Sequence, residues 1–303
     1  MQLPELYAQG RLVLTFEVFP PKTAQGFESL YRTVGELATF RPGFISITYG
    51  AGGTTRTQTL EIAHEIRRRF DLPTTAHFTL VGSTVDDIVD FLNRAKEAGA
   101  RNIMALRGDP PRGQNGFQPT PGGLAHANEL VSLIRERFPN FGIGVAGYPE
   151  KHIEAPDAET DLANLKRKVD AGAHAVYTQL FYDNADFLRF RDRCRGAGVT
   201  VPIVPGLLPV LSLAQVQRIT GLCGAKLPKP LLTQLEACGD DPEAQIRVGV
   251  EHCSRQCEGL LREGIPGIHF YVLNRSDATR RILANVLPHD LKPAPGQLSQ
   301  SPS

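Results

Sequence analysis

Glu17 closes a short apolar run, Leu12 to Glu17. A lone carboxyl at such a place is either a buried ion-pair partner or a group that moves protons. His77 lies near the end of a second run, and Arg107-Gly108-Asp109 follows a third. Tyr148, Glu150 and His152 come after a fourth, Gln179 ends a fifth, and Asn274-Arg275 follows the last. The densest basic group is Lys166-Arg167-Lys168, with Asp161 and Asn164 just before it. Guanidinium and ammonium groups gathered in this way suit a diphosphate, although a solvated helix face accounts for the same residues. Together the residues read as one isolated acid–base group beside a cationic patch for a phosphate-bearing cofactor.

Other chemistries lack their residues. No Ser sits in a Gly-x-Ser-x-Gly turn, no His-x-His pair occurs, and no apolar run ends in the Lys that a Schiff base needs. The dinucleotide fingerprint Gly-x-Gly-x-x-Gly follows none of the runs. Gly50-Ala-Gly-Gly follows one but lacks the Lys-Ser/Thr of a phosphate loop.

The runs that must position these residues alternate with helical patterns. They are Leu12–Glu17, Phe44–Tyr49, Thr74–Thr79, Asn102–Leu106, Gly142–Ala146, Ala175–Gln179, Pro202–Val204 and Ile268–Val272. Short apolar runs of this kind suit strands buried on both faces of a parallel sheet. Helices are expected over Glu61–Phe70, from Thr84 to Gly99, and over Leu124–Phe138, Thr160–Ala171 and Ala185–Arg195. Thr84 fits an N-cap and Gly99 a stop. Two more, Lys229–Cys238 and Pro242–Glu263, crowd the space before the last strand. This rhythm predicts an α/β fold, a single-domain (β/α)8 barrel over residues 1–287 with extra helices before its last strand. Residues 288–303, rich in Pro and Ser, read as a disordered tail. In such a barrel the C-terminal ends of the strands form one rim, and nearly every expected strand brings a polar group there.

The chain has 303 residues, with 33 Lys and Arg against 32 Asp and Glu. That balance gives no electrostatic case for nucleic acid or for an anionic membrane. No apolar stretch is long enough to span a bilayer, and the start lacks the pattern of a secretory signal. The five cysteines are widely spaced with no Cys-x-x-Cys pair, which fits reduced thiols in a cytoplasm. Cys253 and Cys257, four apart, are read as helix packing rather than as metal ligands.

Several segments are recognisable in combination. They include Phe16-Glu17-Val18-Phe19-Pro20-Pro21-Lys22, Ser46-Ile47-Thr48-Tyr49-Gly50 and Ala105-Leu106-Arg107-Gly108-Asp109. Tyr148-Pro149-Glu150, Asn164 through Ala173, Thr178-Gln179, Pro205-Gly206 and His269 through Arg275 follow in order. Over about residues 11–287 the chain resembles methylenetetrahydrofolate reductases. The resemblance implies a (β/α)8 flavoprotein in which NADH or NADPH reduces FAD and then leaves. Bound 5,10-methylenetetrahydrofolate would next be reduced to 5-methyltetrahydrofolate. The implied protein is a cytoplasmic homo-oligomer, a dimer or tetramer, with no nucleic-acid or membrane partner.

By the same resemblance Glu17 is the general acid that protonates folate N10 and opens the imidazolidine ring. Such an acid must hold its proton near neutral pH, and burial is expected to raise its pKa. Asp109 is the carboxylate beside the flavin ring. Thr48, Tyr49, His77, Arg107, Gly108, Asp109, Ala127, Tyr148, His152, Asp161, Asn164, Arg167 and Lys168 are implied as the FAD shell. Gln179, Gln215 and Arg275 are implied as substrate contacts. Ile219 and His126 stand where some members carry aromatic residues. A barrel that transfers a methyl group without flavin, and a binding scaffold without turnover, are the rival readings.

Overall fold

The computed structural model describes residues 1–49, 56–109 and 116–287. The Gly50-Ala-Gly-Gly run and the expected tail from residue 288 lie outside the described residues. The parallel strands are β1 (Val13–Val18), β2 (Phe44–Ile47), β3 (Thr74–Thr79), β4 (Asn102–Leu106), β5 (Gly142–Gly147), β6 (Ala175–Thr178), β7 (Ile203–Val204), β8 (Gly206–Leu207) and β9 (Gly267–Tyr271). Their order is β7-β6-β5-β4-β3-β2-β1-β9-β8. The two ends of that order, β7 and β8, are one stretch of chain interrupted at Pro205. Proline has no N–H for a ladder, so the stretch divides there. Its first half pairs with β6 and its second with β9. The sheet therefore closes, and the expected eight-stranded barrel is what forms. Gly206 is required at the closure, because a Cβ there would lie 2.2 Å from the Thr178 carbonyl oxygen.

The helices are α1 (Leu3–Tyr7), α2 (Ala24–Ala38), α3 (Arg56–Phe70), α4 (Val85–Glu97), α5 (Ala127–Arg137), α6 (Ala158–Asp170), α7 (Asn184–Gly196), α8 (Leu213–Cys223), α9 (Lys229–Ala237), α10 (Pro242–Arg262) and α11 (Asp277–Val286). Thr84 does cap α4, accepting the Asp87 N–H, while Asp87 returns a bond to the Thr84 N–H. Gly99 stands just past that helix at φ +84°, a left-handed stop. The sequence reading did not include α1, α2, α8 or α11.

Strand side chains alternate between two cores. Leu14, Phe16 and Val18 face the surrounding helices in the main core, with Phe78, Phe91, Ile103 and Phe270. Val13, Phe44, Met104, Tyr177 and Val204 fill the barrel interior, where Leu3 and Leu6 of α1 plug one end. The plug is held by the Leu3 N–H to Asn102 Oδ1 (2.9 Å) and by paired hydroxyls of Tyr7 and Tyr177 (2.9 Å). A third, smaller core joins α8 and α9 to Tyr182, Leu208 and Val210. The cysteines are all free thiols, and Cys253 and Cys257 of α10 are buried in the main core. No helix among the described residues is long and apolar enough to cross a membrane.

Candidate active site

Alternation along β1 turns Thr15 and Glu17 inward, one layer apart. The register sets Glu17 against Ser46 on one side and Tyr271 on the other, and Thr15 against His269. Two imidazoles converge on one carboxylate oxygen: His269 Nε2 is 3.3 Å and His77 Nε2 3.4 Å from Glu17 Oε2. His77 Nε2 also meets the Ser46 hydroxyl at 2.7 Å, and His269 Nδ1 meets Thr15 Oγ1 at 2.8 Å. A carboxylate accepts, so His269 carries its proton on Nε2 and accepts from the Thr15 hydroxyl at Nδ1. Both rings are nearly closed to solvent, 7% exposed for His77 and 1% for His269.

The expected rise in the Glu17 pKa is corrected here. Burial does push it up, but the charge of His77 and the hydrogen bond from His269 more than offset that push. The carboxyl is held below its ordinary value and rests as an anion. Burial also holds the His77 imidazole below its ordinary value, against the opposing pull of Glu17. His77, implied as part of a flavin shell, spends its Nε2 on Ser46 and Glu17. His269 and Thr15 were not singled out from the sequence; period-2 alternation along their strands was the available clue.

A second polar region opens between β4, β5, α5 and α6. It is a cavity of about 320 Å3 lined by Arg107, His126, Ala127, Tyr148, His152, Asp161, Asn164, Arg167 and Lys168, among others. Asp157 caps α6 by accepting the Thr160 N–H, and helical spacing then sets Asp161, Asn164 and Lys168 along one face. The sequence cluster divides: Arg167 and Lys168 line the cavity, whereas Lys166 pairs with Asp170 one turn on. Lys168 donates to the Ala146 carbonyl oxygen at 2.6 Å. Burial lowers its pKa to about 8, against the opposing pull of Asp161. Burial raises the Asp161 carboxyl, which accepts the His152 N–H at 3.1 Å. The Tyr148 and His152 rings meet edge to face at 4.6 Å. His152 Nδ1 accepts the Glu154 N–H, and burial, then the charge of Arg107, lowers that imidazole's pKa.

Arg107 is held in place on several sides. It pairs with Glu154 at 2.7 Å, donates from Nε to the Gly108 carbonyl oxygen at 3.1 Å, and lies over the Phe117 ring. Gly108 has φ +87°, and a Cβ there would lie 2.8 Å from a Val81 methyl, so glycine is the residue that fits. Asp109 follows, exposed, and its charge acts on Tyr148 and His152.

The remaining expected residues lie outside this cavity. The Tyr49 ring packs between Phe78 and Phe91, and its hydroxyl accepts from Arg56, so the side chain belongs to the outer core. The Thr48 carbonyl oxygen accepts from the Thr59 hydroxyl. The side-chain carbonyl oxygens of Gln179 and Gln215 accept the Leu180 and Leu211 N–H groups. Ile219 packs against the α8–α9 core. Arg275 is exposed, after Leu273 and Asn274 at positive φ. The Asn274 side chain clamps the Phe19 N–H and carbonyl, tying the loop after β9 to the loop after β1. Arg56 and Glu154 are further positioning groups that sequence reasoning missed, because their partners are distant in the chain.

A sequence model of methylenetetrahydrofolate reductases matches residues 2–287. The chain belongs to the methylenetetrahydrofolate reductase family. It is 39% identical over 274 residues to a 5,10-methylenetetrahydrofolate reductase of Pectobacterium carotovorum, covering 90% of each chain. The corresponding protein of Escherichia coli is 38% identical over 90% of both chains. A rice protein named a probable methylenetetrahydrofolate reductase (NADH) is 41% identical, but the match spans only 50% of it. The chain thus covers about half the length of its plant relatives. Among solved structures, an uncharacterised Clostridium thermocellum protein that binds two copies of 5-methyl-5,6,7,8-tetrahydrofolic acid superposes with a TM-score of 0.61. It covers 94% of this chain and 97% of its own at 15% identity, which shows a shared fold.

Proposed function

We propose that this barrel reduces 5,10-methylenetetrahydrofolate to 5-methyltetrahydrofolate, with NADH or NADPH as donor and FAD as resident cofactor. The observation that carries the reading is an inward carboxylate, Glu17, held by two imidazoles on the same rim as a cationic cavity. The cavity fits the phosphate-bearing part of FAD. Arg167 and Lys168 are cations for a diphosphate, and the first turn of α5, at Ala127, adds the positive end of a helix dipole. At about 320 Å3 it is at the small end for a ligand site, so the rest of a dinucleotide would extend along the rim. When bound, FAD supplies hydride transfer.

The chain's own residues supply position and protons. Arg107, His152, Asn164, Arg167 and Lys168 would hold the cofactor. Glu17 rests as the anion and would take a proton from solvent as the folate enters and displaces water from the rim, since desolvation then favours the neutral acid. It would give that proton to N10 and so open the ring. The charge of Asp109 would stabilise the cationic folate that results. Gln179 and Gln215 would donate their amide hydrogens to the substrate, and Arg275 suits a glutamate carboxylate. The Clostridium thermocellum neighbour, whose ligand is 5-methyl-5,6,7,8-tetrahydrofolic acid, shares this fold.

The test is an anaerobic visible spectrum of the purified protein with NADH or NADPH, followed by methylenetetrahydrofolate. The expected result is a flavin spectrum that bleaches with one donor and returns with the folate. A protein that stays colourless after incubation with FAD would remove the flavin, and a methyl-transferring barrel would take its place.

A further inference from the structure

The turn after β5 holds a carboxylate that this chemistry does not use. The Glu150 side chain is only 8% exposed. Its two oxygens share one backbone donor, the Lys226 N–H, at 3.1 Å each. The Lys226 ammonium stands off at 3.7 Å, its side chain 77% exposed. Burial raises the Glu150 pKa, and the charge of Asp186 adds to the rise. A buried carboxylate with one N–H and a distant, solvated cation is costly to keep.

Its position explains what the contact does. Tyr148 and His152 stand two residues to either side and line the cavity. Lys151 between them has φ +100°, so this turn is held in a conformation unusual for a side-chain-bearing residue. Lys226 lies in the connection between α8 and α9. Of the eleven residues of α8, Val216 is the one buried. The two helices pack in their own small core, apart from the barrel core, and α8 carries Gln215. A helix anchored by so little apolar burial depends on ties from outside. Gln245 of α10 supplies one at the Leu213 N–H, and Glu150 supplies one at the far end.

We propose that Glu150 is a positioning residue that fixes the α8–α9 pair, and with it Gln215, to the cavity-side turn, so that the substrate side is set relative to the cofactor side. The inference rests on the function proposed above. The carboxylate acts through the Lys226 backbone and touches neither ligand.

The test compares wild type with Glu150→Ala and Glu150→Gln; the amide keeps one carbonyl oxygen for the Lys226 N–H. In Glu150→Ala the flavin spectrum and its bleaching by NAD(P)H should match wild type. The KM for methylenetetrahydrofolate should rise about tenfold with kcat within about twofold, which is the cost of losing one buried contact. Glu150→Gln should recover most of that KM. Hydrogen exchange at the Lys226 amide should quicken in Glu150→Ala and stay close to wild type in Glu150→Gln. Unchanged exchange, or unchanged KM, in the alanine variant overturns the proposal. So does loss of flavin in step with the KM rise, which would place Glu150 in the cofactor site instead. If wild type binds no flavin at all, the functional reading fails, and the exchange comparison alone decides whether Glu150 holds the helix pair.

Discussion

The cavity beside α6 and the well around Glu17 share one rim but handle charge in opposite ways. In the cavity, cations are spread over a helix face and a strand end. Their partners are partial or few: a carbonyl for Lys168, the Asn164 amide oxygen for Arg167, and one carboxylate for Arg107. Such groups keep donors free for an anion. In the well, one carboxylate is enclosed by two imidazoles, each braced by a hydroxyl from a neighbouring strand. The first arrangement is suited to binding and the second to holding one carboxylate in a fixed orientation. The difference follows from where each is built, because a helix face offers long side chains and room, whereas inward strand positions offer short reach and close packing.

The comparison breaks first at Glu17. Glu17→Gln should keep the flavin spectrum and its bleaching by NAD(P)H, yet lose folate reduction by at least about 100-fold, the usual range for a general acid. Stopped-flow absorbance of the two half-reactions checks this, and normal folate turnover in the variant would defeat the acid assignment.

Lys168→Met should act on the other region alone. FAD should bind about thirtyfold more weakly, roughly the 2 kcal/mol of a charge-assisted bond. Equilibrium dialysis of the flavin reads the loss, and an unchanged Kd would take Lys168 out of the site. The same lysine gives the cavity its pH dependence. Its pKa in the free protein is about 8, and an anion beside it raises that value by favouring the charged form. Affinity for FAD is therefore full below pH 8 and falls as pH rises through that value. Titrating the Kd between pH 7 and pH 9 should show the fall in wild type and a flat line in Lys168→Met.

The smallest effect is expected at Glu154, which holds Arg107 across the cavity mouth. The two side chains are partly exposed, at 26% for Arg107 and 35% for Glu154, so their pairing is worth about 1 kcal/mol or less. Glu154→Gln should weaken FAD binding by no more than about fivefold, with the effect shrinking in high salt. Tighter binding would mean that Glu154 competes with the cofactor for Arg107 rather than orienting it.

Much of this protein could be read from its residues in order. Eight apolar runs at regular intervals forecast a closed parallel sheet because strands buried on both faces must be apolar throughout. The α6 wall of the cavity was also legible, since helical spacing alone places Asp161, Asn164 and Lys168 on one face. Helix α1 escaped notice because a five-residue segment has no periodicity to read, and it is held by Asn102 Oδ1, by the Tyr7–Tyr177 hydroxyl pair and by the barrel interior. The α8 helix was missed for a related reason: it buries one residue, so no apolar stripe marks it.

The sequence by itself determined which residues face inward and which helix face carries charge, since both are local periodicities. Only the tertiary structure decided what those residues meet. Glu17 and His269 are 252 positions apart, and they touch because β1 and β9 are neighbours in a closed ring. That meeting reversed the expected pKa of Glu17: burial follows from the local pattern, whereas the imidazoles that outweigh it come from two other strands. Glu150 and Lys226 are a pair of the same kind, joined across 76 residues by the fold. Electrostatics sums over space and not along the chain, so the charge state of a buried group belongs to the fold.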